Sequence, residues 1–257
     1  MNPLFSDPCS RLLNREQGIL RFNERVLAMA DDAAVPLLER LRYVTIVSNN
    51  LDELFEIRVA ELQQIVRLGR EESAAALANI EAIAVAARAL VDRQYTLLND
   101  TLKPLLAAEG IVIHLMADWT DAQRQWASEL FDREVEPLLT PIALDPAHPF
   151  PRILNKSLNF IVELDGEDAF GRRAGIAIVQ APRALPRVLP VPPDISGHPH
   201  GMMLLTSIVQ GFVGRLFPGM KVREVHQFRL TRNSDLFVDD EEVLSLIHIS
   251  EPTRRRG

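Results

Sequence analysis

An α+β fold class, with an amino-terminal helical bundle ahead of a mixed α+β unit, is predicted by three features of this 257-residue sequence. Apolar residues recur at helical spacing in three long runs between Asn14 and Leu106. Pro104 and the Glu109-Gly110 pair then break the pattern. After Gly110, short β-favouring runs alternate with helical ones, an order of types that fits a separate α+β unit. The expected boundary falls between 1–108 and the residues that follow.

Residues 1–13 carry two prolines and no long pattern, so they read as a frayed lead. Ile19, Leu20, Phe22, Val26 and Leu27 give a first helix from Asn14 to Ala30, closed by Asp31-Asp32. Pro36 suits the start of a second helix, from about Leu37 to Val66. A third, alanine-rich helix is expected from about Glu72 to Leu106, and short links make the three a bundle. Ile111 to Leu115 reads as a short strand, and Thr120 or Asp121 caps a helix through about Val135 with Trp126, Leu130 and Phe131 inward. Residues 144–157 hold three prolines and form a loop into a strand over Leu158–Leu164. GIAIVQA at 175–181 suits a buried strand, while five prolines in 182–193 allow only irregular or edge structure. A helix from Met203 to Leu216, stopped by Pro218-Gly219, and a strand over Val222–Leu230 complete the expected elements.

Within the second helix, the stretch SNNLDELFEIR at 48–58 breaks local rules. At about 100° per residue, Leu37, Leu41, Val44, Val47, Leu51, Phe55, Leu62 and Ile65 share one face, and Arg58 falls on that same stripe. A guanidinium there needs a partner, and Glu16 and Glu24 on the first helix are the candidates. Asn49-Asn50 is poor helix material in mid-run. Asn50 sits on the flank, either as a structural amide or as a ligand contact. Rule-breaking residues of this kind often mark a site.

Composition narrows the function classes. The net charge is −7, from 28 basic and 35 acidic side chains, so no basic face for duplex nucleic acid is implied. The single cysteine, Cys9, excludes an internal disulfide and a Cys-rich zinc site. His198-Pro199-His200 lies in a Pro/Gly loop without a carboxylate or thiol at ligand spacing, so no metal site is expected. The start lacks a basic flank followed by an apolar segment, and no long uninterrupted apolar run is present. A cytoplasmic protein without a transmembrane segment is therefore the expectation.

Four segments carry a family resemblance: NREQGILRFNERVL at 14–27, VPLLERLRYVTIVSNNLDELFEIRVAEL at 35–62, LDPAHPFPRILNKSLNFIVEL at 144–164 and FRLTRNSDLFVDDEEV at 228–243. In this order they resemble the amino-terminal and head domains of bacterial polyphosphate kinases of the long-chain, histidine-phosphorylating type. Gln17-Gly18 departs from the Leu-Ser that the family usually shows. The resemblance implies an ATP:polyphosphate phosphotransferase, which reversibly moves the terminal phosphate of ATP to inorganic polyphosphate through a phosphohistidine. It implies Mg²⁺, with ligands outside this chain, and a homo-oligomeric full-length parent. The residue contacting the adenine nucleotide carries over to Asn50, with Arg58 as structural support. The catalytic histidine belongs to a later domain, so 109–243 is expected to be a truncated head domain and the chain alone inactive. The rival reading is a non-enzymatic helical adaptor that binds a protein partner.

After Val243 the family-like pattern stops, and SLIHISEPTRRRG follows. This segment resembles the translation of sequencing-adapter read-through; the alternative is a native, flexible basic tail. Residues 244–257 are expected to add no packed contact, because their three consecutive arginines and Pro252 bury little apolar surface. Deleting them should leave the melting temperature unchanged within error; a drop of several degrees would mark native structure.

Overall fold

The computed structural model describes residues 14–144, 150–166 and 175–232. The expected lead 1–13, His148, most of the 228–243 segment and the tail 244–257 lie outside the described residues.

The first helix, α1 (Arg15–Asp31), starts where Asn14 Oδ1 accepts the Gln17 backbone N–H at 3.0 Å, satisfying a donor the helix itself cannot pair. α2 (Leu37–Glu53) folds back along it. Arg40 is buried at the turn, donating from Nε to the Ala30 carbonyl (2.7 Å), which places a cation at the carbonyl end of α1. α2 runs on through a π-helical turn, Leu54–Val59, into α3 (Ala60–Arg67). The third long helix is α4 (Ser73–Thr96), a second π turn (Leu97–Leu102) and α5 (Lys103–Ala108). Leu20, Leu27, Val47, Leu54, Ile83 and Leu102 form the core of this bundle. Gln94 crosses it, donating to the Val44 carbonyl at 2.6 Å and to Ser48 Oγ at 2.8 Å.

The π turn corrects the expected stripe. A π turn bonds i to i+5 and takes up an extra residue, so the buried face slips by one position. Leu54 and Val59 are buried, whereas Phe55, expected inside, is 36% exposed. Arg58 is turned from the core centre to the bundle's edge. Phe22 in α1 is also exposed rather than inward.

The helix Ser73–Ala108 contains an 18-residue window of mean hydropathy 1.6, apolar and long enough by composition to cross a membrane. Only 22% of that window is buried, and Ile83, Ala87 and Leu90 are among the residues of this helix that pack into the bundle core.

Two small sheets follow. β1 (Ile111–His114) is parallel to β6 (His200–Leu204), with β5 (Val188–Pro190) antiparallel on the far edge. The second sheet is antiparallel in the order β2 (Pro141–Ala143), β4 (Ile176–Gln180), β3 (Leu158–Asp165), β7 (Lys221–Arg229). α6 (Asp121–Leu130) opens with a capping box in which Thr120 and Gln123 satisfy each other's backbone N–H. Four-residue α7 (Pro193–Ser196) precedes β6, and α8 (Leu205–Phe212) follows it. Phe131, Phe160, Val179, Met203 and Ile208 join sheet and helices in one core.

The helix expected from Met203 begins two residues later, because His200–Leu204 is strand β6. A run such as Met-Met-Leu-Leu fits either element, and pairing with β1 decides it. Gly201 permits that pairing: a Cβ there would stand 1.7 Å from Ser196 Oγ and 2.9 Å from His114 Nε2.

Candidate functional site

The rule-breaking residues of the 48–58 stretch border one pocket of about 340 Å³ between α1 and α2, lined by Phe22, Asn23, Asn50, Ile57, Arg15 and Arg58 among others. The volume falls within the range of small-molecule sites. Asn23 forms its polar floor. Fully buried, Asn23 donates from Nδ2 to the Ile19 carbonyl (3.1 Å), and its Oδ1 accepts from Asn50 Nδ2 at 2.8 Å. That bond fixes which way the Asn50 carboxamide faces. The Asn50 oxygen takes no part in it, and remains for a ligand that offers an N–H.

Both walls of the pocket come from local sequence. The π turn begins four residues beyond Asn50, at Leu54, whose N–H reaches back to the carbonyls of Asn50 and Leu51. Such turns occur often at functional sites, where the extra residue re-aims side chains. Here it brings Ile57 and Arg58 to the pocket. Opposite them stands Phe22, 51% exposed, with the Arg25 guanidinium 5.7 Å from its ring centre.

Arg58 pairs with Glu16, one of the two carboxylates the sequence offered; Glu24 instead pairs with Arg21. Nε and Nη2 of Arg58 both donate to Glu16 Oε1 (3.2 and 3.0 Å), and Nη1 meets Glu61 Oε2 at 2.7 Å. Glu16 Oε2 accepts from Asn79 of α4 at 3.3 Å, so one carboxylate ties three helices together. Burial pushes the Glu16 pKa up, but hydrogen bonds from its own backbone, Arg58 and Asn79 together with the Arg58 charge outweigh it and leave it below the usual value.

Asn23 is not marked at all in the sequence reading, and Phe22 enters it only as part of the first helix's apolar pattern. An asparagine in register with Leu20 and Leu27 is the signal that could have exposed the first.

Among the described residues, the histidines form no comparable site. His114 Nε2 lies 2.8 Å from Ser196 Oγ, and burial followed by the nearby His198 pushes its pKa down. Among the described residues, no three His, Cys, Asp or Glu side chains converge as metal ligands would.

With this geometry in hand, similarity to known proteins is informative. The polyphosphate kinase N-terminal domain matches residues 12–114, and the polyphosphate kinase middle domain matches residues 122–256, a span that includes most of the tail. The polyphosphate kinase of Paraburkholderia phytofirmans is 57% identical over 239 residues, covering 91% of this chain and 35% of that protein. That of Neisseria meningitidis serogroup B is 54% identical over 245 residues, covering 92% and 35%. The crystal structure of polyphosphate kinase from Porphyromonas gingivalis superimposes with a TM-score of 0.77 at 25% identity, over 91% of this chain and 37% of that one. The chain thus spans about a third of the length of the curated relatives it matches.

Proposed function

Because the chain belongs to the polyphosphate kinase family, carrying its N-terminal and middle domains, we propose that it supplies one wall of the ATP site of an ATP:polyphosphate phosphotransferase. That enzyme moves the terminal phosphate of ATP reversibly onto inorganic polyphosphate through a phosphohistidine. The observation that carries the reading is Asn50, oriented by buried Asn23 on the wall of a pocket of nucleotide-compatible size. An amide can both donate to and accept from an adenine edge. Phe22 and Ile57 offer apolar faces for a base, and Arg15 supplies positive charge.

In the same reading the chain divides into a helical domain over 1–108 and a head domain over 109–243; of the segment 244–257, residues up to 256 fall within the middle-domain match. Arg58 supports the pocket wall through Glu16. The nucleophilic histidine and the Mg²⁺ ligands lie in the part of the family's length beyond this chain, and the full-length enzyme works as a cytoplasmic homo-oligomer. The family assignment does not favour a non-enzymatic adaptor.

The test is nucleotide-dependent stabilisation. Mg-ATP at 100 times its Kd should stabilise the chain by about 2.7 kcal/mol, and Asn50→Ala, binding about 2- to 13-fold more weakly, should lower that gain by roughly 0.4 to 1.4 kcal/mol at the same concentration. The chain alone should make no polyphosphate, because phosphoryl transfer without its nucleophile loses the covalent route. Measurable synthesis by the 257-residue chain, or no stabilisation by any adenine nucleotide, would overturn the reading.

A further inference from the structure

The flank of the π turn that faces away from the Asn50 pocket is bound to the α+β domain. Asp52 accepts both guanidinium arms of Arg229, at the end of β7: Nη2 to Oδ1 at 2.6 Å and Nη1 to Oδ2 at 2.8 Å. One helical turn on, Glu56 pairs with Lys156 through Oε2 and accepts from Asn155 through Oε1. Both carboxylates are mostly covered, although their cations reach solvent.

The receiving loop is itself held in place. Lys156 has φ +55°, a left-handed backbone that non-glycine residues adopt rarely. Its N–H donates to the Leu230 carbonyl at 2.8 Å. Asn155 Oδ1 accepts the Arg232 N–H at 2.9 Å, and its carbonyl accepts from Arg183 at 3.3 Å. The hydrogen bond from Lys156 holds Glu56 below the usual carboxylate range and Lys156 above the usual amine range, so both are charged at neutral pH.

We propose that Lys156 and Arg229 are positioning residues for the Asn50 pocket: through Glu56 and Asp52 they hold the π turn, so that docking of the α+β domain assembles the pocket wall. This rests on the nucleotide reading above. π-helical geometry forms only where its surroundings support it. A paired guanidinium and carboxylate fix direction as well as distance. The residues so held, Asp52 and Glu56, alternate along the chain with Glu53, Leu54, Ile57 and Arg58 of the pocket wall. Any shift of one set moves the other.

The experiment uses the 257-residue chain with Lys156→Gln, Arg229→Gln, the double variant and Lys156→Arg. Hydrogen exchange is followed at the amides of residues 54–60 and, as a reference, 83–90, alongside the Kd for Mg-ATP. Loss of each pair should speed exchange in the π turn by about fivefold, the ceiling for a partly exposed ion pair, with the reference helix unchanged. The Kd should rise in the same order, and Lys156→Arg should restore both. Exchange unchanged in the turn, or accelerated equally in both segments, would overturn the proposal. So would faster exchange with an unaltered Kd. If the parent chain binds no ATP, the nucleotide reading fails separately, and the exchange result alone decides whether the clasp holds the turn.

Discussion

Replacing Arg58 with alanine is expected to destabilise the chain by about 2–3 kcal/mol, below the full cost of splitting a wholly buried ion pair. The discount follows from exposure: the Arg58 side chain is 27% accessible while Glu16 is 8% accessible. Alanine leaves Glu16 covered with only Asn79 and its backbone as partners, and removes the stem that packs beside it. Methionine also removes the charge but keeps most of the stem, and should cost about 1 kcal/mol less.

The same site gives an acid limb. The folded value of Glu16 lies below the unfolded one, so on acidification the unfolded chain takes up the proton first. This contribution is complete above the ordinary carboxylate value and lost as pH falls through the lowered folded value. The gap between parent and Arg58→Ala should therefore narrow in acid. Urea melts of both variants beside the parent, at neutral and acid pH, check it; equal costs for alanine and methionine, or a gap independent of pH, would contradict it.

Much of the helical domain is written in its local pattern. Periodicity delimits α1, α2–α3 and α4–α5 to within a few residues, since each helix buries a stripe and its breakers stand at the ends. Thr120 as a cap, the strand over β3 and the edge placement of β5 follow from equally local chemistry. The π turn was not legible, because nothing in LFEIRV distinguishes an i+5 bond from an i+4 bond. Phe55 was therefore placed inside and Leu54 overlooked. β6 was missed because its partner lies some ninety residues upstream, and its own five residues carry no alternation.

Asn50 and Arg58 stood out because each violates helix or burial preferences, yet what satisfies them did not. The Asn23–Asn50 bond spans 27 residues, and the Asp52–Arg229 pair spans 177. Long-range polar partners leave no periodic trace, since their spacing is set by the tertiary fold alone.

The central claim is that Asn50 contacts the nucleotide, and ATP kinetics test it most directly. In a full-length family enzyme, an adenine contact remote from the γ-phosphate acts on ground state and transition state alike. Asn50→Ala should therefore raise KM for ATP and leave kcat nearly unchanged. Loss of one neutral hydrogen-bonding side chain should cost roughly 0.5–1.5 kcal/mol, or about 2- to 13-fold. The variant also leaves the buried Asn23 oxygen without its donor, a cost borne by free and bound protein alike, so it shows in a thermal melt and not in KM. The measurement is steady-state ATP kinetics of Asn50→Ala beside its parent: a raised KM with kcat preserved is the predicted result, and unchanged ATP kinetics would return Asn50 to a structural amide on a helix flank.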